Sequence, residues 1–171
     1  MPSDYAHDIE VIRQIVVQSK YSNKLVSIAH REQTEIIFEL DDVALIDKQL
    51  ANSITENTKR YVTLFSTVLD ELLPNYRLKD VVAKDPLDVF IEHRLLAEQR
   101  TYGDVNGEVN VIQSKYPPEL MRRYDVYFKP LSTEKPTAIR DVKAKDIGKL
   151  VTIAGIVTRI TEVSKSFILI V

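Results

Sequence analysis

Leu150-Val151-Thr152-Ile153-Ala154-Gly155-Ile156-Val157-Thr158-Arg159-Ile160-Thr161-Glu162-Val163 is rich in β-branched residues almost throughout and is interrupted once, by Gly155. Branched side chains pack well on a pleated strand and crowd the preceding turn of a helix. The stretch therefore reads as a long strand, and a glycine inside a strand marks a bulge or a sharp bend. A first strand bent at a glycine is how small barrels of the OB type turn their corner. Working back, Lys143 to Lys149 reads as a turn or short helical piece ending at Gly148. Before it, Tyr124, Val126 and Phe128 alternate with Asp125 and Tyr127, which is strand spacing with Tyr124 and Phe128 expected in a core. Pro117-Pro118-Glu119 could open one helical turn. Phe167 to Val171 begins another strand, so at most three strands of a five-stranded barrel are present and the barrel reads as truncated.

Upstream the period changes. Residues 101–115, with Gly103, Gly107 and polar neighbours, read as a linker. Ahead of it the spacing is helical. Ser3 is placed to cap a helix carrying Ile9, Ile12 and Val16, and Tyr21 to Ala29 puts Leu25, Ile28 and Ala29 on one side. Ile36-Ile37-Phe38 is β-prone and is ended by the turn-like Glu39-Leu40-Asp41-Asp42. One long helix is expected from Lys48 to Leu73, capped by Asp47 and stopped before Pro74, with Leu50, Ile54, Tyr61, Leu64, Phe65, Val68 and Leu72 on one stripe. Asp85-Pro86 has the form of an N-cap and first helical residue, followed by an apolar face of Leu87, Phe90, Ile91, Leu95 and Leu96. The expected fold is α+β: an N-terminal helical-bundle subdomain over residues 1–105, then an incomplete OB-fold β-barrel over residues 106–171.

With 171 residues, 44% hydrophobic, 28% charged, 4 Gly and 7 Pro, the composition is that of a folded globular chain and excludes low-complexity disorder. The absence of cysteine excludes disulfides, thiolate metal sites and a cysteine nucleophile. The longest apolar run, Phe167 to Val171, is far too short for a membrane span, and the acidic start at Asp4, Asp8 and Glu10 fits neither a signal nor a transit peptide. A soluble intracellular protein is expected.

Catalytic patterns fail one by one. Gly148-Lys149 superficially resembles a phosphate loop, but Lys143 stands where the first glycine belongs and Leu150 replaces the magnesium-holding Ser or Thr. His7, His30 and His93 sit among charged neighbours with no metal-ligand partner at i+4. Asp41 and Asp42 are adjacent, so their side chains diverge, and a turn or cap role is expected over acid–base work.

What remains is a charge asymmetry. Residues 1–110 hold 12 Lys+Arg against 19 Asp+Glu, a net −7, whereas 111–171 hold 11 against 6, a net +5. A basic segment interleaved with aromatics such as Tyr116, Tyr124, Tyr127 and Phe128 suits single-stranded nucleic acid, held by its phosphates and stacked bases without reading sequence. The candidate nucleic-acid contacts are Arg122, Arg123, Lys143, Lys145, Lys149 and Arg159.

Several segments carry a resemblance. They are Lys24 to Gln33 (KLVSIAHREQ), Leu40-Asp41-Asp42-Val43-Ala44, Glu71-Leu72-Leu73-Pro74, Asp88 to Leu95 (DVFIEHRL), Tyr116 to Arg123 (YPPELMRR), Ile147 to Val151 and Gly155 to Arg159. Together they resemble the N-terminal region of the minichromosome maintenance (MCM) replicative DNA helicases, from about residue 5 to 163. His30-Arg31-Glu32-Gln33 and Ile91-Glu92-His93-Arg94 point to one subunit of the eukaryotic complex. The resemblance implies a helical subdomain followed by an OB-fold, a nuclear location, and partners in the form of other MCM subunits of a hetero-hexamer and single- or double-stranded DNA bound without sequence preference. It also implies a non-catalytic collar: the family's zinc ribbon, ATP and magnesium sites would lie beyond Val171, so this chain is expected to use no cofactor and to hydrolyse no ATP. Ala154 stands where Arg usually precedes the glycine, removing one candidate DNA cation, and the family's pattern is lost after Glu162-Val163.

Overall fold

The structure is a computed structural model that describes residues 5–76, 85–102 and 122–159. Helix α1 (Ala6–Val16) buries Val11, Ile12, Ile15 and Val16, a stripe that returns every turn, while the expected cap Ser3 lies outside the described residues. Helix α2 (Ser19–Ala29) buries Tyr21, Leu25, Ile28 and Ala29, as its spacing predicts. It closes with Arg31 in the left-handed region at φ 60°, its amide bonded to the Ile28 carbonyl at 2.9 Å. Strand β1 (Glu35–Glu39) alternates, with Ile36 and Phe38 fully buried and Ile37 outward.

Glu39 to Asp42 is not a turn but the entry into helix α3 (Leu40–Ile46). Leu40 and Val43, three apart, are both fully buried, so burial drives this short helix, and Asp41 and Asp42 sit in its positive first turn. The helix expected from Lys48 to Leu73 is two helices, α4 (Lys48–Glu56) and α5 (Thr58–Leu72), separated by Asn57 at φ −140°, ψ 58°. Asp47 does cap α4, its Oδ1 accepting from the amides of Gln49 at 2.7 Å and Leu50 at 3.3 Å. At the break the Ile54 carbonyl accepts from the Thr58 hydroxyl at 2.9 Å. A 3-10 turn, Leu73–Tyr76, follows α5 at Pro74.

Helix α6 (Pro86–Tyr102) starts where Asp85-Pro86 places it, with the Asp88 carboxylate accepting from the Asp85 amide at 3.0 Å. Its expected apolar face is not a core face. Ile91 alone among the described side chains of that face is buried, at 3% exposure, whereas Leu87, Phe90 and Leu96 are 40–60% exposed, and Val89 beside them is equally open.

Strand β2 (Asp125–Lys129) lies parallel to β1 in the register Glu35↔Asp125 to Glu39↔Lys129. Parallel neighbours need a long crossover, and here α3 to α6 intervene. β2 therefore falls beyond the expected boundary at 105/106, yet it packs with the helices. Phe38 meets Tyr21 at 4.8 Å and Phe65 at 4.9 Å between ring centroids, and Phe65 meets Phe128 edge-on at 5.0 Å. Tyr124 and Val126 are buried in the same core, with Phe128 packed against it.

Beyond β2 the described residues, 130–159, are mostly exposed. Strands β3 (Thr137–Ala138) and β4 (Ile153–Ala154) pair in parallel, separated by two 3-10 turns. Gly148, at φ +83°, ends the second of these turns as expected, and Gly155 lets Ile139 approach to a distance that a Cβ would obstruct. No closed barrel is present among the described residues: they hold two two-stranded sheets, and the long strand expected from Leu150 is reduced to Ile153–Ala154. The physical correlate is burial. Leu131 and Leu150 pack on the helical core, but Ile147, Ile156 and Val157 are 74–91% exposed, so residues 130–159 show no apolar layer of their own among the described residues. Residues 160–171, including the expected strand from Phe167, lie outside the described residues.

Candidate nucleic-acid interface

The six candidate cations fall into two groups. Arg122 and Arg123 enter β2 and are committed to ion pairs within the chain. The Arg122 guanidinium bonds Asp70 at 2.5 Å and lies 5.7 Å from the centre of the Tyr124 ring. The Tyr124 hydroxyl is itself 2.6 Å from the Asp70 carboxylate and 3.0 Å from the Ser66 carbonyl. Burial, then the carboxylate, pushes that hydroxyl far above its ordinary range, so it stays a neutral donor. Burial works against the Arg122 charge, and Asp70 more than offsets it.

Arg123 bonds Asp85 at 3.1 Å and Asp88 at 3.0 Å, and Asp88 also pairs with Arg31. Burial disfavours the Asp88 charge, but Arg31, the Asp85 amide and Arg123 hold its carboxyl below the usual range. One buried acid thus ties the end of α2, the start of α6 and the entry to β2. Sequence reading missed this because the two arginines, Arg123 and Arg31, are 35 and 57 residues from Asp88.

A second network anchors the far end of β2. Lys20 lies 2.6 Å from both Glu39 and Asp42, and Lys129 lies 3.1 Å from Glu39 across the strand pair. Lys20 and Lys129 hold the Glu39 carboxyl down to about 2, and burial with the Asp42 bond pushes the Tyr21 hydroxyl up to about 12.

Lys143, Lys145, Lys149 and Arg159 are all on the exposed segment after β2. Lys149 pairs with Glu56 at 2.7 Å. Asp146 accepts from the Lys143 amide at 2.9 Å, which leaves the lysine side chain on the exposed side of that turn. Exposed ammonium and guanidinium groups on extended chain can neutralise phosphates without reading bases. Arg140 and Lys135, exposed on the same segment, extend the charge beyond the candidates that sequence singled out.

Elsewhere, a cleft of about 410 Å³ between the start of α1 and the α4–α5 break is lined by Tyr5, Asp8, Asp47, Glu56 and Tyr61 among others. Tyr61 donates to Asp8 at 2.7 Å, and burial with that bond raises its hydroxyl to about 12, too high for acid–base work near neutrality. No group of three His, Asp or Glu is placed to hold a metal ion among the described residues, and none of the described helices is long and apolar enough to cross a membrane.

Comparison with known proteins gives the same assignment as the quoted segments. Residues 11–130 match the MCM N-terminal domain, a span that ends one residue after β2. The chain is 54% identical over 144 residues to the DNA replication licensing factor mcm7-A of Xenopus laevis, covering 84% of this chain and 20% of that protein. It is 38% identical over 152 residues to the MCM7 licensing factor of Arabidopsis thaliana and 36% identical over 154 to that of Schizosaccharomyces pombe, covering 85% and 88% of this chain. The chain spans about one fifth of the length of these curated relatives. With a family match across most of its length, carried by the elements that build its core, the chain belongs to the MCM family and contains that family's N-terminal domain.

Proposed function

We propose that this chain is the non-catalytic N-terminal module of a nuclear MCM helicase subunit. It contributes to hetero-hexamer assembly with other MCM subunits and to sequence-independent DNA contact in replication initiation and fork unwinding. ATP-driven unwinding, with its ATP, magnesium and zinc sites, is assigned to parts of the relatives that this chain does not span. Two units are proposed: a helical subdomain completed by β2, and, from Pro130 onward, the beginning of an OB-type barrel. The observation that carries the DNA reading is the separation of the cations. Arg122 and Arg123 are spent on ion pairs that hold the core, whereas Lys143, Lys145 and Arg159 stand exposed on the basic segment.

The test is fluorescence anisotropy of a labelled single-stranded oligonucleotide across a salt series. Each phosphate contact changes the slope of log K against log salt by about 0.7. Lys143→Ala with Lys145→Ala should reduce the slope by about two contacts, or roughly 1.4. Arg122→Ala should leave the slope unchanged and lower the melting temperature. Absence of binding at low salt, or an unchanged slope in the double variant, would favour the second reading, docking on other MCM subunits without DNA. That reading has its own observation, the exposed face of Leu87, Val89, Phe90 and Leu96 on α6. Phe90→Ser should then abolish co-elution with the other subunits on a sizing column.

A further inference from the structure

The break between α4 and α5 leaves the last-turn carbonyls of α4 in need of donors. The Ser53 carbonyl accepts from the Asn57 amide at 3.0 Å, and the Ile54 carbonyl accepts from the Thr58 hydroxyl at 2.9 Å. The next, Thr55, accepts from the amide of Leu150 at 2.9 Å, 95 residues along the chain. Beside it the Lys149 ammonium meets Glu56, the last residue of α4, at 2.7 Å, where a cation also complements the helix C-terminus. At the other end of the segment, Ser132 donates through its amide at 3.1 Å and its hydroxyl at 3.2 Å to Asp41 in the first turn of α3. The basic segment is therefore strapped to the helical subdomain at two points, both beside an acid, and every residue from 138 to 145 between them is exposed.

We propose that the Lys149–Leu150 clasp on the end of α4 is an autoinhibitory contact: polyanion binding to the basic segment and docking of that segment on α4 compete for Lys149. The inference rests on the nucleic-acid reading above and goes beyond it, because it makes DNA contact and subdomain docking thermodynamically coupled. A phosphate that takes Lys149 from Glu56 removes the ion pair flanking the Leu150–Thr55 hydrogen bond. By linkage, weakening the clasp must tighten polyanion binding to the same degree. The pair is exposed, so the effect is modest. The energies typical of such pairs correspond to a change of about two- to fivefold. Asn57 is what makes the device possible, since a continuous helix would supply the Thr55 carbonyl with its own donor.

The test uses the whole chain and a fluorescently labelled oligothymidylate at low salt. Glu56→Gln is expected to raise affinity about two- to fivefold, whereas Glu134→Gln, which removes an exposed carboxylate of the strap not paired with a candidate cation, should raise it less. The second readout is amide hydrogen exchange: saturating oligothymidylate should speed exchange at Leu150 and leave Asp125 of β2 unchanged. Binding in which Glu56→Gln is no better than Glu134→Gln, or in which Leu150 exchange does not respond, overturns the competition while leaving the nucleic-acid reading standing. No binding in any variant overturns both.

Discussion

Asp88 shows how a single side chain can decide the fate of its neighbours. It is buried, faces two arginines and caps the amide of Asp85, so removing its charge weakens the pairing of both Arg31 and Arg123, the latter still bonded to Asp85. Asp88→Asn should lower the unfolding free energy in urea by about 2–3 kcal/mol, as the loss of charged hydrogen bonds at a mostly buried site does. The pH dependence has a definite sign. Asp88 and Glu39 are both held below their ordinary values, the latter at about 2. Unfolded carboxyls, with values of about 4, protonate first as pH falls, so the unfolded state binds more protons in that window. Stability should therefore be fully present above about pH 5 and decline steadily toward about pH 2, with Glu39→Gln flattening the lower part of the curve. Arg122 and Arg123 read in sequence as surface cations because their acids, Asp70 and Asp88, are 52 and 35 residues away and no local pattern joins them.

Among the elements, those whose burial follows their own periodicity were legible. The α1 and α2 faces, the inward Ile36 and Phe38, the Asp47 cap, the Asp85-Pro86 start and the alternation of Tyr124, Val126 and Phe128 all stand as spaced. What was not legible depends on competition or on distant partners. The stripe from Leu50 to Leu72 runs across Asn57 because both helices bury the same side, so apolar spacing alone carries no sign of the break at Asn57. Thr58→Val removes the hydroxyl that satisfies the Ile54 carbonyl and should lower stability by about 1 kcal/mol in a denaturant titration. Tyr124→Phe leaves the ring packed but takes the donor from Asp70, and should cost about 1–2 kcal/mol by the same measurement. The α6 face repeats with helical spacing yet points outward at Leu87, Phe90 and Leu96, because amphipathic spacing reports a buried side only if something covers it.

For the whole molecule the decisive fact is the pairing of β1 with β2. It carries the chain back across 85 residues and puts Tyr124 and Val126 into a core otherwise built before Leu73. The linker composition of residues 101–115 suggested an end to the first unit, but a linker marks where contacts are few, not which side the next strand joins. The family match through residue 130 and the exposure of Ile147, Ile156 and Val157 are consistent with the proposed limit of the first unit after β2. With the limit there, Arg122 and Arg123 belong to the scaffold, and Lys143, Lys145 and Arg159 to the segment proposed to meet DNA. Native-state hydrogen exchange tests it most directly. The Asp125 amide, bonded to the Thr34 carbonyl at 2.8 Å, should be as protected as those of Leu64 and Val68 in α5, with the amides of Lys145 and Ile156 exchanging far faster. If Asp125 instead exchanges with the exposed segment while α5 stays protected, β2 is no part of the helical unit and the division of the cations collapses with it.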